Sequence, residues 1–211
     1  MTSLFITGGT GFIGRHVLAQ LRALPVDDVR CLVRREGTAR GRAEWRSEWV
    51  EVVGDVGRPE QYAHSLPAGG AVVHLAAATG KRRPRELRRQ NVDATASLVH
   101  AAEAAGAARL VFISSVAARF PDLARYPYGA SKRDAERIVQ EGRLPHAIIR
   151  PTMVFGAGSP NQRALERLAL LPVPVMFGTG SVLVQPVAAR DLARVIVGIA
   201  TQGRTGETFE V

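Results

Sequence analysis

Tyr128 and Lys132 stand four residues apart in Tyr128-Gly129-Ala130-Ser131-Lys132, a spacing that puts a phenol and an ammonium on one face of a helix. An unperturbed phenol titrates near pH 10. A neighbouring positive charge favours the phenolate and brings that value toward neutrality, which suits proton exchange with an alcohol or carbonyl. Helices contain many such pairs, so the spacing gains meaning only from its company. Just ahead, the apolar run Leu110-Val111-Phe112-Ile113 ends in Ser114-Ser115, where a hydroxyl can hold a reacting oxygen beside the phenol.

A second constellation opens the chain. Thr7-Gly8-Gly9-Thr10-Gly11-Phe12-Ile13-Gly14 follows the apolar residues Leu4 to Ile6 and leads into Phe12 to Leu24, where Ile13, Val17, Leu21 and Leu24 recur at helical spacing. In a strand that turns through glycines into a helix, Gly8 can take angles other residues avoid. Gly11 lets the main chain approach a pyrophosphate, and Gly14 lets the helix pack closely on the sheet. The helix N-terminus then offers unpaired N–H groups and positive dipole to the phosphates. Dinucleotide binding is the function this context points to.

The elements that must position both groups alternate along the chain. Strands are expected at Val29–Val33, Val50–Val53, Ala71–Leu75, Leu110–Ile113 and Ala147–Ile149. Helices are expected over Pro84–Ala105, with proline at its start and Gly106 beyond its end, and over Tyr128–Gln140. Continuous apolar strands separated by helices mean a parallel sheet covered on both faces. The arginine- and glycine-rich stretch from Arg34 to Glu48 reads as a loop or a frayed helix. After Arg150 the rhythm changes: a Pro/Gly-punctuated segment to Pro160, a helix over Asn161–Leu171, and short strands at Val173–Phe177 and Val182–Val184 around Gly178-Thr179-Gly180. A helix over Ala188–Ala200 and a strand over Glu207–Val211 follow. One domain is expected, with a dinucleotide-binding core over 1–150 and a small substrate-side elaboration plus the last sheet elements over 151–211.

Composition narrows the class. The 211 residues are 46% hydrophobic, an ordinary globular balance, and hold no run long enough to span a membrane. The chain enters its first strand without a basic-then-apolar leader, so a cytoplasmic location is expected. Cys31, the one cysteine, lies in a strand pattern and reads as buried. The net charge of +9 is almost all arginine, concentrated at Arg34-Arg35, Arg40 to Arg46 and Lys81 to Arg89. No zinc-finger spacing or RNA-reading motif accompanies it, so solvated helix faces explain it better than nucleic acid does. His74, lone on a buried strand, reads as hydrogen-bonded core.

Taken together, the chain resembles the short-chain dehydrogenase/reductase superfamily, in its extended branch with the epimerases, dehydratases and dihydroflavonol-type reductases. The resemblance is carried by TGGTGFIG (Thr7 to Gly14), GDV (Gly54 to Val56), HLAA (His74 to Ala77), Asn91-Val92, FISS (Phe112 to Ser115), YGASK (Tyr128 to Lys132), RPTMVFG (Arg150 to Gly156), Gln185 to Asp191, and GETFEV at the end. It implies an α/β, Rossmann-type doubly wound parallel sheet of order 3-2-1-4-5-6, with room for a seventh strand and helices on both faces. It implies that Tyr128 is the general acid/base, that Lys132 tunes it and binds the nicotinamide ribose, and that Ser115, ahead of Ser114, orients the substrate oxygen. The cofactor would be held by Gly8, Thr10, Gly11, Phe12, Ile13 and Gly14, by Asp55 and Val56 beside the adenine, by Leu75, Ala76 and Ala77 along the trough, and by Pro151, Thr152 and Val154. Asn91 resembles the family's helix asparagine, a structural and water-relay position. No metal is implied.

Cofactor choice follows from one position. About twenty residues past the glycine turn, an acidic side chain grips a ribose 2′-hydroxyl and repels a 2′-phosphate. Arg34 stands there, followed by Arg35, and an arginine pairs with phosphate, so NADP(H) is expected over NAD. Ser115 is followed by Val116-Ala117-Ala118 and not by the acidic pair of sugar-nucleotide dehydratases, which argues against that dehydration. Extended members usually continue past the strand resembling Glu207–Val211, so the pocket is expected to be open, small or completed by another subunit. The expected reaction is hydride and proton transfer on a small-molecule carbonyl or alcohol. An NAD-dependent sugar-nucleotide epimerase and a non-catalytic dinucleotide-binding sensor or assembly protein remain the alternatives. In similar proteins the helices matching Pro84–Ala105 and Tyr128–Gln140 pair about a twofold axis, so a homodimer is the favoured assembly.

Overall fold

A computed structural model describes residues 3–26, 28–80, 82–173 and 183–211. Seven parallel strands form one sheet: β1 (Leu4–Thr7), β2 (Val29–Val33), β3 (Val50–Val53), β4 (Ala71–His74), β5 (Arg109–Ile113), β6 (His146–Arg150) and β9 (Glu207–Glu210), in the order β3-β2-β1-β4-β5-β6-β9. The reversal falls at β1, whose two neighbours β2 and β4 leave a crevice beyond its carboxyl end. The last strand is the seventh for which the sequence left room.

The central strands β1, β4, β5 and β6 are mostly apolar and buried because both faces of the sheet are covered there. Leu4, Ile6, Val73, Val111 and Ile149 pack under α1 (Phe12–Arg22) and α6 (Ala189–Gln202), with Val17, Leu21, Leu192 and Ile196 from the helices. Phe5, Val72, Leu110, Phe112 and Ile148 face the opposite way, onto α3 (Ala94–Ala104) and α4 (Pro127–Glu141), where Leu98, Val99 and Val139 meet them. Alternate residues thus serve separate cores. Cys31 lies wholly buried, its thiol pushed up to about 12 chiefly by burial, so it is inert as the sequence suggested.

Three features outside the main sheet matter. The expected helix over Pro84–Ala105 is interrupted: α2 (Pro84–Leu87) passes into a π-helical turn at Arg88–Asp93 before α3 resumes. Residues 34–48 form no helix; the turn is held from inside by the buried Glu51, whose carboxylate accepts the backbone N–H groups of Gly37 (2.7 Å) and Arg40 (2.8 Å). Beyond β6, Met153–Phe155 (β7) and Pro186–Ala188 (β8) pair in parallel, a two-stranded sheet the proline and glycine around them concealed. Between them lies α5 (Pro160–Ala169). Of the strands expected at 173–177 and 182–184, residues 174–182 lie outside the described residues, and the flanking Val173, Leu183 and Val184 are not in strands.

Gly14 is the tightest point. A methyl there would overlap the Gly8 carbonyl and lie 2.6 Å from Gly9 Cα. Gly14→Ala is therefore expected to lower unfolding stability by roughly 2 kcal/mol or more. Gly198→Ala, inside α6 with nothing within 4 Å, should be neutral or slightly stabilising. Urea unfolding of the two variants checks the contrast; equal effects would refute it.

Candidate active site

The glycine turn is built as its spacing suggested. Gly8 has φ +74°, and a Cβ on it would come within 2.5 Å of Ala76 N, so the turn presses on the β4 exit strand Leu75-Ala76. Gly11 caps α1 with extended backbone and no side-chain cap, and the first turn of that helix holds no acidic residue. Its N–H groups and dipole are free for an anion. Gly11 itself is exposed at the mouth of this cradle, with Thr10, Phe12 and Ile13 half-buried beside it. Leu75, Ala76 and Ala77 run along the crevice in increasing exposure. Arg34 and Arg35 stand exposed directly after β2, and Asp55 is exposed after β3, where its carboxylate accepts the Gly57 N–H at 2.8 Å. Val56 is half-buried against the core. These positions line the same carboxyl edge.

The catalytic candidates converge on that edge from β5 and α4. Ser115 caps a short 3-10 turn at Val116–Arg119 by accepting the Ala117 N–H at 3.2 Å. That turn sits against α4 because position 129 is glycine; a methyl there would stand 2.8 Å from the Ala117 carbonyl. The close approach brings Tyr128 to Ser115. Burial raises the phenol's pKa, the nearby Ser115 hydroxyl works downward, and Tyr126 works upward.

Lys132 is almost wholly buried. Its ammonium donates to the Ile113 carbonyl at 2.8 Å and lies 4.3 Å from the centroid of the Phe112 ring. Burial depresses its pKa to about 7, while Glu136 one turn on favours the charge. Glu136 is held in turn by Arg150 at the end of β6, through bonds of 2.9 and 2.6 Å. The expectation that Lys132 draws the phenol's pKa down is corrected here. The ammonium is turned onto β5, its charge is felt at His74, and desolvation dominates at Tyr128.

Ser114 and Ser115 separate cleanly. Ser115 bears on the phenol, whereas among the described residues the buried Ser114 hydroxyl has no partner. Pro151 is buried, its carbonyl accepting the Val116 N–H at 3.0 Å, and Thr152 bonds the Val211 carbonyl. Val154 points into the core with β7, away from the crevice.

A buried polar chain joins the two halves, and sequence reading found only parts of it. Thr95 donates its one hydroxyl proton to the Asn91 carbonyl (2.6 Å), so it must accept from His74 Nε2 (3.0 Å). His74 is therefore the Nε2–H tautomer, and its Nδ1 accepts from Thr7 (2.6 Å), whose oxygen receives the Ala76 N–H (3.3 Å). Asn91 closes on Ala78 through both amide ends and donates to Ser131, which donates to the Tyr128 carbonyl at 2.8 Å. The π-helical turn is what delivers Asn91 to this position. Its backbone carbonyl takes the Thr95 hydroxyl, which fits the structural part of the role expected for Asn91. Thr7 stood at the head of the glycine motif with no role assigned to its hydroxyl, and Thr95 carries no recognisable sequence signal.

The donor set suits a dinucleotide. The cradle would be filled by any Cβ at Gly8, the helix N-terminus lacks a competing carboxylate, and the orphaned Ser114 hydroxyl and the singly bonded Lys132 both await acceptors. Residues 4–211 match the model of the NAD dependent epimerase/dehydratase family, and the chain belongs to that family. It is 38% identical over 175 residues to a ceramide reductase of Caulobacter vibrioides, covering 80% of this chain and 52% of that protein. It is 32% identical over 176 residues to the photosystem II assembly factor Ycf39 of Trieres chinensis, covering 82% and 52%. MoeE5 in complex with UDP-glucose and NAD superposes with a TM-score of 0.77 at 28% identity, over 99% of this chain and 75% of that one. The chain thus spans about half the length of these curated relatives. Among the described residues, no helix is long and apolar enough to cross a membrane.

Two outcomes follow from the buried groups. Between about pH 7 and 10.5 the unfolded chain holds the Lys132 proton and the folded chain does not, so stability rises with pH through that window. Lys132→Met should remove the rise and melt about 4 °C higher than wild type near pH 6; parallel melting curves against pH would contradict this. Nitrogen-15 NMR of the imidazole should find His74 neutral and protonated on Nε2 from about pH 5 to 8, since burial takes its pKa down to about 3. An Nδ1–H tautomer, or titration in that range, would break the chain's assigned direction.

Proposed function

We propose that this protein is an NADP(H)-dependent oxidoreductase that interconverts a carbonyl and an alcohol through Ser115, Tyr128 and Lys132. The observation that carries the reading is the packing of α4 at Gly129 on the turn after β5, which puts Tyr128 close enough for the Ser115 hydroxyl to bear on its pKa at the sheet edge that holds the glycine turn. A bound nicotinamide supplies hydride to the carbonyl carbon. Tyr128 gives its proton to the developing alkoxide, and Ser115, still accepting from Ala117, donates its own hydrogen to the same oxygen. Because burial raises the phenol's pKa, the tyrosine waits in the protonated form that reduction needs. Lys132 keeps two ammonium hydrogens beyond the one spent on Ile113; they serve the cofactor's ribose and stabilise the phenolate left behind. Solvent then returns the proton to Tyr128.

Arg34 and Arg35 favour NADP(H), standing where a 2′-phosphate would be read. The relative named a ceramide reductase supports reduction. A second reading, an NAD-dependent epimerase, draws on the family and on MoeE5 with its UDP-glucose. The same trio begins that reaction, and an acidic residue in place of Arg34 would have favoured it.

Titration with NADPH and NADH, followed by nicotinamide fluorescence, separates the two. NADPH should bind roughly 10- to 100-fold more tightly, and Arg34→Ala should erase most of the difference. Equal affinities untouched by the substitution would reject the cofactor assignment. Tyr128→Phe should cut carbonyl reduction about a hundredfold or more while leaving dinucleotide affinity nearly unchanged.

A further inference from the structure

We propose that the carbonyl substrate is a neutral ketone bearing a long or bulky apolar group, laid along an aromatic wall that runs from solvent to the Tyr128 phenol. This rests on the reductase reading above and deepens it by naming the substrate class.

The wall is three rings in continuous contact. Phe120 and Tyr126 stack with centroids 5.9 Å apart and planes at 22°, and Tyr126 meets Tyr128 edge-on at 6.1 Å. Phe120 and Tyr126 are 44% and 41% exposed, while Tyr128 is half-buried at the inner end. Isolated exposed aromatics are ordinary on protein surfaces. A row of them ending on a proton donor is a surface that an apolar chain can cover while its polar end reaches the chemistry.

The wall is also fixed in place. Arg133 on α4 donates to the Ala118 carbonyl at 2.8 Å and to the Phe120 carbonyl. Asp122 accepts the Ala124 N–H at 2.9 Å, and the Tyr126 N–H closes on the Leu123 carbonyl at 2.9 Å. The missing side chain at Gly129 lets Leu123 and Tyr126 press directly on α4. A rigid apolar wall loses little freedom when a ligand covers it.

The charges around the wall argue the same way. A sugar diphosphate would need cations turned toward it. The Arg119 guanidinium is paired with Glu210 at 2.6 Å, and that of Arg133 is spent on backbone carbonyls. Arg125 stands exposed on the same loop and is the residue through which an anionic substrate would show itself.

Two measurements test the proposal, with unbranched 2-ketones from four to twelve carbons as the probes. In the first, binding to the NADPH-loaded protein is followed by calorimetry. Affinity should rise about two- to threefold per added methylene, part of the gain from full burial. In the second, steady-state reduction should give kcat/KM rising with the same slope. Phe120→Ala touches neither Ser115, Tyr128 nor Lys132; it should flatten both slopes and cut kcat/KM for the longest ketone roughly tenfold. The four-carbon ketone should stay within about twofold, Phe120→Leu should restore much of the loss, and Arg125→Ala should change nothing. Chain-length-independent binding, or Phe120→Ala acting equally on short and long ketones, would overturn the substrate class while leaving the reductase reading intact. Chain-length-dependent binding without turnover would uphold the wall and reject the reductase chemistry. Saturable binding of UDP-glucose that Arg125→Ala abolishes would overturn the proposal in favour of an anionic substrate.

Discussion

Three stretches of backbone meet at Gly8 with no space for a side chain between them. The carbonyl of Gly8 lies against the position of Gly14, the left-handed φ at Gly8 turns the chain onto the backbone of Leu75 and Ala76, and Gly11 closes the turn by donating to the Gly8 carbonyl at 3.0 Å. Everything functional is referred to this junction. It sets α1 with its N-terminus open above the crevice, and it brings β4's exit strand to the one place where the polar chain through Thr7 and His74 can start. Interiors packed this closely do not deform smoothly. Glycine at 8 and 14 is therefore a geometric requirement and not a preference for flexibility.

From that junction the chain of donors runs in one direction, from Ala76 through Thr7, His74 and Thr95 to Asn91, and from Asn91 through Ser131 to Tyr128's own carbonyl. Each hydroxyl spends its single proton, so the network has one arrangement and not several. Buried polar groups without partners are costly, and here they are satisfied along the whole path. Two exceptions lie at the end of β5. Among the described residues the Ser114 hydroxyl has no partner, and Lys132 spends one of its three ammonium hydrogens. Burying them costs stability that the fold does not recover by itself, the pattern expected where a bound ligand supplies the missing acceptors.

The fold was legible because the strands advertise themselves. Val29–Val33 and Val50–Val53 are valine-rich runs and appear with the expected bounds. Elements of weaker pattern escaped. β7 and β8 are three residues each, enclosed by proline and glycine, and nothing local distinguishes them from loop. The π-helical turn was invisible because the signals at the ends of the segment, Pro84 ahead and Gly106 beyond, read as one helix; the extra residue appears only when Asn91 is seen to bond Ala78. At the site, residue types announced Tyr128, Lys132 and Ser115. Electrostatics did not follow from spacing, because a lysine four residues from a tyrosine can turn its charge elsewhere, and Lys132 turns it onto Ile113. Gly129 stood in the motif from the start, yet its purpose is a contact with Ala117 that only the packed turn reveals.

The reversed sign at Tyr128 has a consequence for direction. A phenol whose pKa is raised by burial is a weaker acid and a stronger base once ionised, so the free site is set to hold its proton. Lys132, depressed to about 7, is set to lose one. Two groups pushed toward neutrality from opposite sides limit the desolvation cost of burying them. An anionic cofactor reverses the balance at Lys132, since negative charge nearby favours the ammonium. On the proposed reading, dinucleotide binding restores the charge of the buried Lys132 amine, so that cofactor affinity and the protonation of that amine are linked.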